Sequence, residues 1–197
     1  SVARLAHPRV GAAAAWLPDV GVAVAGGSDT APGLEVLTPG GSLAAVRAFE
    51  PDPVFGAAAV PRGGGQLILL GGYDGATPAP SRALDSTCIA DCEPQLLPIG
   101  VPARLGGCHA FAASADEALL VGGDADDLID VGAASSAMIR AFSVRFVAEE
   151  IAEIELREPR AGAVPVATPH GLLALLGGAH RDGTAAVTVE LFFPGGV

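Results

Sequence analysis

Short aliphatic runs, each closed by a Gly-Gly pair, recur four times along the chain: Val22-Ala23-Val24-Ala25, Leu67-Ile68-Leu69-Leu70, Ala118-Leu119-Leu120-Val121 and Leu172-Leu173-Ala174-Leu175-Leu176. A continuous apolar run of this length, stopped by glycine, predicts a β-strand covered on both faces, and it is too short for a buried helix. Upstream of each run lies a small-residue segment that begins at a glycine. The four copies are Gly11 to Gly26-Gly27, Gly56 to Gly71-Gly72, Gly106 to Gly122-Gly123 and Gly162 to Gly177-Gly178. From first glycine to Gly-Gly the distances are 15, 15, 16 and 15 residues, whereas successive Gly-Gly pairs are 45, 51 and 55 apart. A hairpin has to keep its register, because a one-residue slip turns every side chain to the wrong face. Outer loops accept insertions at little cost. A fixed hairpin with variable connections is therefore the signature of a repeated β-unit.

A third strand is expected at Glu35-Val36-Leu37-Thr38-Pro39-Gly40-Gly41, which returns as Glu190-Leu191-Phe192-Phe193-Pro194-Gly195-Gly196. Fourth strands fit Leu43 to Phe49, Gln95 to Ile99 and Glu153 to Leu156. Copy four has none of its own, and Val2-Ala3-Arg4-Leu5 has the length to supply it. The pattern thus predicts an all-β chain, a single domain over residues 1–197, with units of mostly four antiparallel strands at about 6–50, 51–99, 100–156 and 157–197, the last closed by 1–5.

The chain resembles kelch-repeat proteins of the divergent bacterial kind, whose pattern is Pro-Arg-x-Gly, Gly-Gly and Glu-x-Phe-x-Pro. Pro8-Arg9-Val10-Gly11 and Pro159-Arg160-Ala161-Gly162 carry the first element in full, Arg104-Leu105-Gly106 carries most of it, and Pro53-Val54-Phe55-Gly56 lacks the Arg. The resemblance spans nearly the whole chain, and a period of roughly 50 residues is that of kelch repeats. It departs from the stricter motif, because Trp16 is the only Trp and Tyr73 the only Tyr. The resemblance implies a β-propeller whose units are blades, either a closed ring of four or part of a larger ring, since about five to seven blades are more usual.

Composition narrows the functional classes. The formal charge is −11, from 22 acidic residues against 11 basic ones, and the chain has no stretch of the roughly 18 apolar residues that a spanning helix needs. A surface of that sign repels phosphates, so neither a nucleic acid nor an anionic membrane is an expected partner. Of the three cysteines, Cys88 and Cys92 flank three residues in a Pro-flanked stretch. A local disulfide, two free thiols and a metal site all remain open there, and a disulfide would suit an extracellular, periplasmic or cell-surface setting.

In each unit the segment leading into the first strand and the turn leaving the second should lie at one end of the sheet, because adjacent strands are antiparallel. Arg9, Arg104 and Arg160 sit in the first place, and Asp29, Asp74, Asp124 and Asp182 follow the Gly-Gly pairs in the second. These residues form a candidate rim for a polar ligand. The alternative is that each Arg bonds a carbonyl or an Asp of the adjacent blade and fastens blades together. Asp124-Ala-Asp126-Asp127-Leu-Ile-Asp130 is rich in the oxygen ligands that calcium prefers but lacks the central Gly and terminal Glu of an EF-hand loop, and a solvated loop explains it as well. His7, His109, His170 and His180 show no ligand spacing, and no phosphate loop, nucleophile elbow or His-Glu-x-x-His is present. The expected function is a non-catalytic module without a cofactor or metal, recognising a protein or glycan through loops on one face. The resemblance also leaves room for a carbohydrate-active enzyme of the copper-radical oxidase or sialic-acid isomerase type. The single Tyr departs from the oxidase site. A third reading makes the chain a structural segment of a larger surface or lipid-anchored protein.

Overall fold

A computed structural model of the chain describes residues 3–100, 108–112, 117–122, 141–146, 150–154, 157–158, 163–167, 172–180 and 182–192. The fold is all-β, and its only helical element among the described residues is a 3-10 turn at Gly63–Gly65. No helix among them is long and apolar enough to cross a membrane. The chain divides into two compact units, Ser1–Val101 and Pro102–Val197, so that each holds two of the four sequence copies.

Each copy forms its own antiparallel sheet. In the first, β1 (Ala13–Leu17), β2 (Gly21–Ala25), β3 (Ser28–Leu37) and β4 (Ala45–Asp52) pair in chain order. The second contains β5 (Ala58–Arg62) and β6 (Gln66–Leu70), a small hairpin of β7 (Tyr73–Asp74) and β8 (Thr77–Pro78), then β9 (Arg82–Asp85) and β10 (Gln95–Leu96). The third runs β11 (Cys108–Ala112), β12 (Glu117–Gly122), β13 (Ala141–Arg145) and β14 (Glu150–Ile154). The fourth has β15 (Val164–Ala167), β16 (Leu173–Leu176) and β17 (Val189–Phe192). The four aliphatic runs are strands β2, β6, β12 and β16, second in each sheet, as the periodicity predicts. Arg4 forms a parallel bridge to Leu43, donating its N–H to the Ser42 carbonyl and accepting from Ala44 N–H, within the first unit.

Within the first unit the two sheets pack face to face. Leu17, Ala23, Leu34, Val36 and Phe49 of the first sheet close on Leu67, Leu69, Leu84 and Cys92 of the second. Each Leu or Val so buried contributes roughly 1.5 to 3 kcal/mol, and the thin side chains Ala13 and Ala25 let the sheets approach closely. Strands β1 and β5 lie near one another, and the segment before β5 bonds directly to copy one: Gly56 N–H donates to the carbonyl of Gly11, ahead of β1, at 2.9 Å, and Gly27 N–H, in the turn after β2, donates to the Val54 carbonyl at 2.8 Å. In the second unit Leu119 and Val121 of β12 pack on Leu173 and Leu175 of β16.

The Gly-Gly pairs sit where these segments crowd the turn. Gly72 has φ +92, and a Cβ there would lie 2.7 Å from Val54 Cγ1 and 2.9 Å from the Phe55 carbonyl. Gly72→Val is therefore expected to destabilise the protein by well over about 1 kcal/mol. A melting temperature equal to that of the wild type would refute this account of the turn.

Candidate functional site

In copies one, two and four the third strand carries a charged residue opposite the position two before Gly-Gly, where copy three has Phe142: Glu35 faces Val24, Arg82 faces Leu69 and Glu190 faces Leu175. All three reach back to the segment that leads into the first strand of their own sheet. Glu35 is fully buried and accepts from Ala6 N–H at 2.6 Å, from Arg9 Nη2 at 3.0 Å and from Arg9 Nε at 3.3 Å, with His7 Nδ1 at 3.1 Å. Glu190 accepts from the N–H groups of Arg157 at 3.0 Å and Glu158 at 2.8 Å. Counting back from the prolines at 8 and 159, Ala6 and Arg157 occupy the same place in the repeat.

Copy two makes the same connection with its charges exchanged. Arg82 is buried on the third strand and bonds Asp52 Oδ2 through Nη2 at 2.6 Å and Nε at 3.1 Å. Asp52 stands immediately before Pro53, as His7 stands before Pro8, and its other oxygen accepts from Val54 N–H at 3.1 Å. The missing Arg of Pro53-Val54-Phe55-Gly56 has thus been replaced by one on the opposite element.

Arg9, a candidate rim residue, points inward. Its guanidinium is 1% exposed, and besides Glu35 it bonds the carbonyls of Gly26, at 2.9 Å, and Pro32. It fastens the first copy to itself, joining the lead-in, the Gly-Gly turn and β3. Arg104, Arg160 and Asp124 lie outside the described residues. Asp29, Asp74 and Asp182 are exposed. Asp74 belongs to the β7–β8 hairpin, and Asp182 Oδ1 accepts from Thr184 Oγ1 at 2.6 Å and Thr184 N–H at 3.0 Å. Those two bonds, the side-chain one foremost, hold the Asp182 carboxyl below its usual value, so it is a carboxylate at neutral pH. Lead-in and turn do meet at one end of the sheet: Val10 N–H donates to the Gly27 carbonyl at 2.9 Å, and Glu158 Oε1 lies 2.9 Å from His180 Nε2.

Cys88 and Cys92 form a disulfide, with Cα atoms 5.9 Å apart. Of the readings left open by their spacing, this is the one observed. Cys92 N–H donates to the Ala48 carbonyl of β4, and Arg47 Nε reaches the Ser86 carbonyl, so the stapled loop of copy two grips the outer strand of copy one. Tyr73 packs its ring 6.1 Å from that of Phe55, with the two backbones paired. Among the described residues no three His, Cys, Asp or Glu side chains gather as a metal site would need. No protein-family model and no curated protein matches the chain.

Sequence reasoning passed over Glu35, Asp52, Arg82 and Glu190. Two signals pointed to them: the Glu that opens both copies of the Glu-x-x-x-Pro-Gly-Gly motif, and the absence of Arg from the one copy whose third strand supplies Arg82.

Burial pushes the Glu35 carboxyl up, but the Ala6 N–H, the bonds from Arg9 and His7 and the Arg9 charge outweigh it and hold the pKa below 4.5. A carboxylate with a lowered folded-state pKa stabilises the fold above its unfolded value, and that contribution is lost as pH falls through the folded value. Stability should therefore decline below about pH 4.5, and Glu35→Gln should flatten that decline in denaturation curves taken from pH 7 to pH 3. In copy two, Asp52→Ala or Arg82→Ala strands a buried charge and should cost about 3 to 5 kcal/mol. The exchange Asp52→Arg with Arg82→Asp should recover a large part of that loss, and a double-mutant cycle by urea unfolding measures it. Reducing the Cys88–Cys92 bond, which closes a short loop, should remove about 2 kcal/mol, seen as a lower melting temperature in dithiothreitol.

Proposed function

We propose that the chain is a kelch-like β-propeller module, its four sheets serving as blades, which binds a protein or glycan through turns at one end of the sheets. The repeated period, the close approach of β1 and β5 and the face-to-face packing of successive sheets support the architecture. A disulfide in so small a loop supports residence outside the cytoplasm, in an extracellular, periplasmic or cell-surface setting.

The observation that carries the binding role is the recurrence of exposed carboxylates two to four residues after Gly-Gly, at Asp29 at the start of β3, Asp74 in the β7–β8 hairpin and Asp182 in a turn. With the Arg9 guanidinium buried against Glu35, the described part of this rim offers acceptors. Carboxylates in such a place suit sugar hydroxyls, peptide N–H groups or a cationic side chain. Turns carried on rigid sheets are where repeat proteins place recognition.

Screening on glycan and peptide arrays, together with metal analysis, tests this reading. Selective binding without stoichiometric metal is expected, with the Asp29→Asn/Asp74→Asn double variant binding at least about tenfold more weakly at an unchanged melting temperature. Stoichiometric copper with sugar oxidation would replace this proposal by a carbohydrate-active enzyme, and inertness on both would leave a scaffold.

A further inference from the structure

The two halves of the loop between β9 and β10 are held in different ways. The first half is anchored by hydrogen bonds: Ser86 donates to the Gly65 carbonyl through both its N–H and its Oγ, Arg47 Nε donates to the Ser86 carbonyl, and Asp85 Oδ1 accepts from Thr87 N–H at 2.8 Å and Thr87 Oγ1 at 2.6 Å. Cys88 N–H closes this part by donating to the Asp85 carbonyl at 3.2 Å. None of these bonds reaches residues 89–92.

In that second half Ile89 is 80% exposed, Ala90 and Asp91 are exposed, and Asp91 stands at φ +50, a conformation that L side chains rarely adopt. What holds the segment against the first sheet is its end, where Cys92 bridges Phe49 and donates its N–H to the Ala48 carbonyl at 3.3 Å, together with the covalent tie to Cys88. The first sheet ends at β4, so Cys92 covers an outer strand, and Phe49 and Cys92, each 5% exposed, belong to one apolar cluster. Cys88 is half-buried, which makes it the more accessible half of the disulfide.

We infer that the Cys88–Cys92 bond is a redox-sensitive latch: oxidised, it holds residues 89–92 over β4, and reduced, it releases them while the anchored half of the loop and both sheets stay in place. The latch goes beyond the binding role and does not depend on it, because every group involved lies in the first compact unit. The reductant it answers to is a dithiol. One thiolate of the dithiol attacks Cys88 Sγ, forming a mixed disulfide as the Cys88–Cys92 bond breaks and Cys92 leaves as a thiolate. The second thiolate then displaces Cys88, so that two electrons pass to the protein, both cysteines end as thiols and the dithiol becomes a disulfide. One backbone bond and one buried side chain give less than the ordering of four residues costs. The segment therefore leaves once the covalent tie is gone, Asp91 relaxes from its left-handed conformation, and Phe49 loses its cover.

Reduction of the full chain by dithiothreitol under native conditions, followed by a pulse of iodoacetamide with the labels assigned by mass spectrometry, tests the inference. In the reduced chain Cys92 should label at least about tenfold faster than global unfolding permits, at a rate that stays flat in urea below the unfolding transition. Cys88→Ser leaves Cys92 permanently untied and should give the same rate without dithiothreitol; should that variant fail to fold, the reduced wild type carries the test by itself. In proton–nitrogen correlation spectra, amide shifts should change in β4 and at residues 87–97 and hold steady in β1, β2, β5 and β6. Oxidised dithiothreitol should restore the original spectrum. Cys92 labelling that climbs with urea from the outset would mean that reduction lowers global stability and opens nothing locally, and would overturn the latch. Shift changes spread evenly through residues 3–100, or a spectrum that re-oxidation does not restore, would overturn it as well.

Discussion

Sheets built from Ala, Val and Leu are thin, and burial against another sheet is what holds them. The first sheet has almost no interior of its own: Leu17, Leu34 and Val36 become core only because Leu67, Leu69 and Leu84 lie across from them. The same dependence joins β12 to β16. An isolated sheet of this size would be marginal in water, so its stability belongs to the pair. The polypeptide answers with short, nearly identical hairpins, because only a hairpin of constant register presents the same apolar face each time.

Face-to-face packing does not decide how the chain travels from one sheet to the next, and buried charge does that. Where it is described, the lead-in to a first strand is an irregular segment whose polar backbone needs partners. Glu35 and Glu190 supply them as acceptors, and Arg82 reaches Asp52, which in turn holds Val54 N–H. A buried ion pair is weak as a source of net stability, since desolvation offsets the attraction. Its value here is positional: Arg9, on the lead-in, is bonded at once to the Gly-Gly turn and, at two points, to β3.

The repeat, the strand sequence and the antiparallel pairing were legible because they follow from local rules: a run such as Leu67-Ile68-Leu69-Leu70 ended by Gly71-Gly72 admits few conformations. The lead-in charges were harder to read. Arg9 looks like a surface residue by type, and only the register that brings Glu35 opposite Val24 shows that a buried partner awaits it. Asp52 and Arg82 are 30 residues apart, and nothing local links them. Cys88 and Cys92 could be paired, free or metal-bound by spacing alone. The loop geometry that brings their Cα atoms together depends on contacts with Ala48 and Gly65, which lie on other strands or turns.

The opposite polarity of the first two copies has a consequence for how the chain finds its native state. Neighbouring repeats of similar sequence invite strand exchange, in which one hairpin captures the wrong partner. Were the lead-in of copy two to take the place of Arg9 beside Glu35, Asp52 would meet Glu35. Were that of copy one to dock on β9, Arg9 would confront Arg82. Either error buries two like charges without a counterion, so electrostatics rejects mispairings that the shared aliphatic pattern would otherwise accept.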